Sequence, residues 1–158
     1  MSQHQAYKHD GDLFSFQLPS HWSHSIEDDG TQVFWDNTAG SGTLRVTSLT
    51  ATKHASLEEQ PQVALLTSRA LPQLREDGIA WCQYSQAGQG NSQPTTTYWW
   101  KFANFIPPCF VRLALFSFTI YTHELNEEAT AAQLEQLRSL IENVKFGSVQ
   151  DFERSGTQ

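Results

Sequence analysis

The chain has few cysteines, no long apolar run and little positive charge, and each shortage excludes something. Only Cys82 and Cys109 occur among 158 residues, so a multi-bridge disulfide scaffold is excluded. Both sit in apolar, strand-like stretches, as buried thiols do, and pairing across neighbouring strands stays open. Ten basic side chains against seventeen acidic ones give a net charge of -7. That balance repels phosphate backbones and anionic lipid, so neither nucleic acid nor membrane is an expected partner. The opening MSQHQAYKHDGD carries no apolar run, so no secretory signal and no membrane insertion are expected, and the chain reads as cytoplasmic. No repeat of 20–50 residues appears, which removes solenoids and propellers.

Chemical motifs are equally scarce. His21 and His24 are three apart in a non-helical context, His54 and His123 are isolated, and no H-x-x-x-H or cysteine pair supports zinc. Glu27, Asp28 and Asp29, like Glu58 and Glu59, match no calcium loop and fall where a turn or helix start favours acid. GQGNS lacks the third glycine of a dinucleotide fingerprint and any phosphate-loop lysine, so it reads as a turn. No G-x-S-x-G elbow is present. Cys109 has no neighbouring base to make it a nucleophile. The expectation is therefore no catalytic set, no cofactor and no metal.

What the chain has in abundance is aromatic residues, including ten Phe and five Trp. A single domain of this length buries roughly 70% of its unfolded surface, so it needs no staples. LFSFQL alternates Phe14, Phe16 and Leu18 on one parity and reads as a half-buried strand ended by Pro19. Asp29-Gly30 marks a tight turn before TQVFWD, NTAGSG marks another, and TLRVTSLTA continues the meander. A helix is expected from Ser56, with Val63, Leu66, Ala70, Leu71 and Leu74 as its stripe and a kink before Pro72. IAWCQY, TTTYWWKFANF and CFVRLALFSFTIYTH read as further strands. The last helix begins near Asn126 and buries Leu134, Leu137, Ile141 and Val144; Lys145 and Gly147 close it.

The strand from Cys109 to Tyr121 is apolar on both parities, which implies cover on both faces. With two helices available, the expected architecture is α+β: a mainly antiparallel sheet between two helices, in three α/β/α layers. The expected organisation is a frayed N-terminus over 1–12, one domain over 13–147 and a flexible tail over 148–158.

The opening FSFQLPSHW, followed by a hairpin and TLRVTS, resembles the start of PsbP-like proteins. That superfamily also holds the Mog-type import factor that binds the GTPase Ran, and several small bacterial families including chaperones of secretion effectors. The resemblance runs from Leu13 to Phe146. It implies a bacterial member of that fold that binds proteins rather than turning over substrates, with a partner that is not inherited from relatives.

Four tryptophans are the candidate partner-binding residues: Trp22, Trp35, Trp99 and Trp100. Interface hot spots favour Trp and Tyr. Adjacent on a strand, Trp99 and Trp100 must face opposite sides, and Trp22 is expected to cover the end of the core at the Pro19 corner. The leading expectation is a non-enzymatic protein-binding or adaptor domain, chaperone-like or immunity-type. The alternative is a small-ligand carrier or sensor with an apolar pocket between helix and sheet. Were the chain an enzyme, His21, His24, His123 and Asp36 would have to converge in one cleft.

Overall fold

Bulky residues at every second position make strands here, and cross-strand pairing sorts them into two sheets. The computed structural model of the chain describes residues 3–9, 14–38, 40–52, 72–106 and 110–147. Its strands are β1 (His4–His9), β2 (Phe14–Pro19), β3 (Ser23–Ile26), β4 (Gln32–Trp35), β5 (Thr43–Thr52), β6 (Gln73–Leu74), β7 (Ala80–Gly90), β8 (Gln93–Ile106), β9 (Phe110–Tyr121) and β10 (Lys145–Phe146). A 3-10 turn spans Thr122–Asn126, and the helix α1 spans Glu128–Glu142. β1, β2 and β10 form a small sheet in the order β1-β2-β10. The other seven form a large sheet in the order β3-β4-β5-β9-β8-β7-β6. Every pairing is antiparallel.

The three-layer expectation is overturned. The described residues hold one α-helix, and what lies on the inner face of the large sheet is a second sheet together with that helix. β2 supplies Phe14, Phe16 and Leu18 to the core, the large sheet supplies Phe34, Leu44, Val46, Trp100, Phe102, Phe116, Phe118 and Ile120, and α1 supplies Leu137 and Ile141. Phe16 meets Phe116 edge to face at 5.3 Å between centroids, the geometry that aromatic quadrupoles favour. β2 was expected to join the meander, but β1 and β10 bracket it in a sheet of its own.

The expected first helix lies almost entirely outside the described residues, between 53 and 71. Its last position is described and is not helical. Leu74, assigned to the apolar stripe, sits in β6 opposite Ala80 and is 64% exposed. Pro72 accounts for this locally, since it cannot donate the amide that a helix interior needs.

Three further differences have simple causes. The N-terminal dozen includes β1, whose buried Tyr7 and His9 share one face while its other residues are exposed. GQGNS holds a turn, as read, but the strands on either side are longer than IAWCQY and TTTYWWKFANF. Strands β7 and β8 run on to a two-residue turn at Asn91-Ser92, with φ of 51° and 64° at those residues, the left-handed pair that matches hairpin twist. The last helix begins at Glu128 rather than Asn126, which ends the 3-10 turn. Leu137, Ile141 and Val144 are buried as expected and Leu134 is half-buried. Lys145 and Phe146 then pair with Ser15 and Phe14.

Two details hold the sheets in place. His9 Nδ1 lies 2.7 Å from Gln32 Oε1, and Gln32 Nε2 donates to the Lys8 carbonyl at 3.1 Å. With Gln32 donating through nitrogen, its oxygen must accept from His9, so Nδ1 carries a proton. At the start of β5, Gly42 backs onto Phe118, and a Cβ there would fall inside the ring.

Gly42→Ala is expected to cost about 1–3 kcal/mol through overpacking, with partial recovery when combined with Phe118→Leu. Urea unfolding of both single variants and the double variant measures this; full additivity would refute the contact. Gln32→Leu strands the buried His9 donor and is expected to cost about 1–3 kcal/mol. His9→Phe with Gln32→Leu together should cost less than Gln32→Leu alone, and thermal melts of the three variants check that order.

Candidate functional site

Register fixes which side chains share the outer face of the large sheet, the face turned away from β2. Trp35, Thr43, Thr119, Thr97 and Gln86 stand side by side across β4, β5, β9, β8 and β7. Beside them run Val33, Arg45, Ser117, Trp99 and Tyr84. The next row holds Thr47, Leu115, Lys101 and Cys82, and then come Leu49, Leu113, Ala103 and Ala80. The face thus grades along the strands from hydroxyl through aromatic to aliphatic.

Cover follows the same gradient. Ala80, Cys82, Ala103 and Val111 are fully buried, and Leu113 nearly so. Burial pushes the Cys82 thiol up, with Lys101 opposing the shift. Trp99, Tyr84, Lys101, Thr97 and Thr119 are half-buried, Arg45 is exposed, and Leu49 is 55% exposed. The expectation of apolar cover along the whole of both faces of the Cys109–Tyr121 segment therefore fails at its second half. There the outer-facing residues are Ser117, Thr119 and Tyr121, of which Thr119 and Tyr121 are only half-buried. Cys109 itself lies outside the described residues.

The middle of this face has a defined arrangement. Tyr84 and Trp99 stack with centroids 6.4 Å apart and planes at 23°. Lys101 Nζ stands 5.1 Å from the Tyr84 ring centre and 5.3 Å from that of Trp99. A cation at that distance is attracted by both ring quadrupoles. It also holds an ammonium at the surface beside a broad apolar area.

Charge is segregated between sheet and periphery. None of the strands carries an Asp or Glu, whereas Lys8, Arg45, Lys101, Arg112 and Lys145 all lie on them. In a chain of net charge -7, the carboxylates of the described residues all stand in turns and α1. Glu27 at one rim pairs with Arg45. Glu124 at another accepts the Ser41 hydroxyl and, at 3.2 Å, the Ser41 amide.

At the hydroxyl end a pocket of about 310 Å³ is lined by Ser41, Thr43, Arg45, Gly90, Thr95, Thr119, Ile120 and Tyr121. Between β2 and the end of α1 a groove of about 480 Å³ is lined by Ala6, Ser15, Phe16, Gln17, Leu140, Asn143 and Lys145. That lining mixes polar and apolar side chains.

The four candidate tryptophans are placed differently. Trp22 is 6% exposed and tilts against Phe118 at 6.3 Å, with its amide bonded to the Pro19 carbonyl at 3.2 Å. Trp100 is 1% exposed on the inner face, and its Nε1 has no hydrogen-bond partner among the described residues. Trp35 and Trp99 are half-buried on the outer face. Tyr84 and Lys101, which complete the cluster around Trp99, were missed because only cross-strand register brings Tyr84 to Trp99.

Of the four residues an enzyme would have to gather, His21 and Asp36 meet, while His24 and His123 stand with other partners. His21 Nε2 lies 3.2 Å from Asp36 Oδ2 at the corner before β3. His24 stacks on Phe34 within β3, and His123 stacks on Tyr121 after β9. Among the described residues, no group of three or more His, Cys, Asp or Glu side chains is arranged to hold a metal ion. No helix among them is long and apolar enough to cross a membrane.

No family model and no curated protein matches the chain. The solved structures that match include a crystal structure from Bacteroides thetaiotaomicron VPI-5482, with a TM-score of 0.65 and 14% identity. The alignment covers 92% of this chain and 49% of that one. This chain therefore spans about half the length of the neighbour, and at such identity the likeness is one of fold alone.

Asp36 also accepts the Thr38 amide at 2.8 Å and the Thr38 hydroxyl at 2.6 Å. Burial pushes its carboxyl up, but the Thr38 bonds and then His21 outweigh it, leaving it below the ordinary value. The charged form is thus favoured in the folded state. Its contribution is present above the unfolded value of about 3.9 and is lost as pH falls through the lower folded value. Asp36→Asn is expected to cost about 1 kcal/mol at neutral pH and to flatten the acid limb of stability against pH. Parallel acid limbs in urea titrations would show that Asp36 contributes nothing there.

Proposed function

We propose that the protein is a non-catalytic protein-binding domain, and that its binding surface is the outer face around Trp99, Tyr84 and Lys101. The observation that carries this reading is a stacked Trp–Tyr pair capped by an ammonium, on a sheet whose strands hold no carboxylate. Aromatic rings held by packing lose little freedom on binding, and such residues concentrate interface energy. Lys101 sets the chemistry of the partner. A carboxylate meeting its ammonium would gain charge complementarity, while an aliphatic side chain beside it would cover the exposed ring surface and Leu49.

The chain as a whole is acidic, so an acidic partner is disfavoured over much of the surface and approaches best where strands carry cations and no carboxylate. That restricts both where and how such a partner docks. An interior compartment agrees with the modest cysteine usage, and cytoplasmic placement forms part of the same proposal. The apolar-carrier reading draws no support from the groove beside α1, whose lining mixes Ser15, Gln17, Asn143 and Lys145 with its apolar residues.

The test uses the intact chain as bait in extract from its host, alongside Trp99→Ser and Lys101→Glu. Wild type is expected to enrich an acidic partner that both variants lose, with melting temperatures within a few degrees of wild type because both positions are half-buried. Isolated partner and bait should then bind more weakly as salt rises. Equal retention by all three baits would refute the assignment of the face, and salt-independent binding would refute the role of Lys101.

A further inference from the structure

We propose that the hydroxyl end of the outer face is a binding site for a neutral saccharide unit. The inference goes beyond protein binding and uses different residues, the Thr43–Thr119 row rather than the Trp99 row. The pocket there measures about 310 Å³, the small end of the range for ligand sites, and it suits one sugar ring better than a larger molecule.

Its chemistry separates the ligand classes. An apolar ligand would strip water from the threonine and tyrosine hydroxyls and leave their remaining hydrogen-bonding capacity unmet, at a cost. An anion needs donors only, together with uncompensated positive charge. The one cation here, Arg45, is already paired with Glu27, and Glu124 stands at the rim beside Ser41. The chain's own charge of -7 adds to the repulsion.

Hydroxyls both donate and accept, and the vicinal hydroxyls of a sugar do the same. Thr97 and Thr119 share one hydrogen bond at 2.9 Å between their oxygens, which leaves further lone pairs and one proton for a ligand. Tyr121 Oη accepts from Asn91 Nδ2 at 3.2 Å and keeps its own proton to donate. The Ser41 hydroxyl is taken by Glu124 and by the Tyr121 amide, and so fixes the pocket wall.

An aromatic surface completes the arrangement. Trp35 stands beside Thr43 in the same row, and its Nε1 donates to Asn37 Oδ1 at 2.9 Å, which sets the ring orientation. The C–H face of a sugar is apolar and electropositive, and it stacks on the negative face of such a ring. Gly90 leaves the opposite wall open, since a Cβ there would press on Thr95 at 3.3 Å.

The experiment titrates the 15N-labelled chain with methyl glucoside, methyl galactoside and methyl mannoside, each to about 50 mM, with affinity expected near 1 mM. At least one sugar should shift the Thr43, Thr95, Thr119 and Tyr121 amides saturably. Thr119→Val should weaken that binding about tenfold, the effect of one lost hydrogen bond to a ligand hydroxyl. Thr119→Ser, which keeps the hydroxyl, should retain it, and Lys101→Glu should leave it unchanged. Absence of saturable shifts with all three sugars overturns the proposal. So does tighter occupation of the same amides by sulfate, or equal binding by the valine and serine variants.

Discussion

Phe16 against Phe116 is the contact on which the architecture depends. It joins the middle strand of the small sheet to the middle strand of the large one, and neither sheet has another way to bury that face. Around it the aromatic rings form a chain of neighbours: Phe14 also touches Phe116, Phe34 meets Phe16 edge to face, and Phe102 meets Phe116 in the same manner. Helix α1 closes the side of this layer through Leu137 and Ile141. Because the inner face is filled by side chains of such size, cavities there are costly.

Local features of this fold were legible because they depend on periodicity. The parity of Phe14, Phe16 and Leu18, the opposite facing of Trp99 and Trp100, the Asp29-Gly30 turn and the buried stripe of the last helix all follow from spacing alone. Partnership was not legible. Nothing in FSFQLP says whether its neighbour is β1 or β3, and that choice decides between one meander and two stacked sheets. The apolar double parity of β9 was read as cover by two helices. The same pattern arises when a second sheet covers one face and the other face is half-covered. The turn in GQGNS was legible, but the run of β7 through Gln86–Gly90 up to it was not, since glycine and glutamine carry little strand propensity and their pairing is imposed by β8.

The candidate surface was legible only in part. Aromatic abundance pointed to tryptophans, and two of the four, Trp35 and Trp99, reach the outer face. The sequence has no means of showing that Tyr84 lies opposite Trp99, or that Thr43, Thr119 and Thr97 form a line. Those relations join residues many positions apart, through register. Charge segregation was in plain view, for strands avoid Asp and Glu on general grounds. Its significance appeared only when the strands were assembled: the open face became a cationic and aromatic island inside an acidic rim.

The outermost strand β3 is four residues long, carries no Lys, Pro or bulge to blunt it, and ends at an Ile26 that is 63% exposed. Such a bare edge is a template for pairing between copies. What stands guard is the neighbouring EDDG turn, whose carboxylates hold identical molecules apart at neutral pH. Near the isoelectric point of about 5.2 the net repulsion between whole molecules vanishes, while the Asp29 carboxyl, held below its ordinary value by its bonds to Thr31, keeps its charge beside this edge. Pairing of copies through β3 is thus opposed at the strand itself by a charge that outlasts the net charge of the molecule.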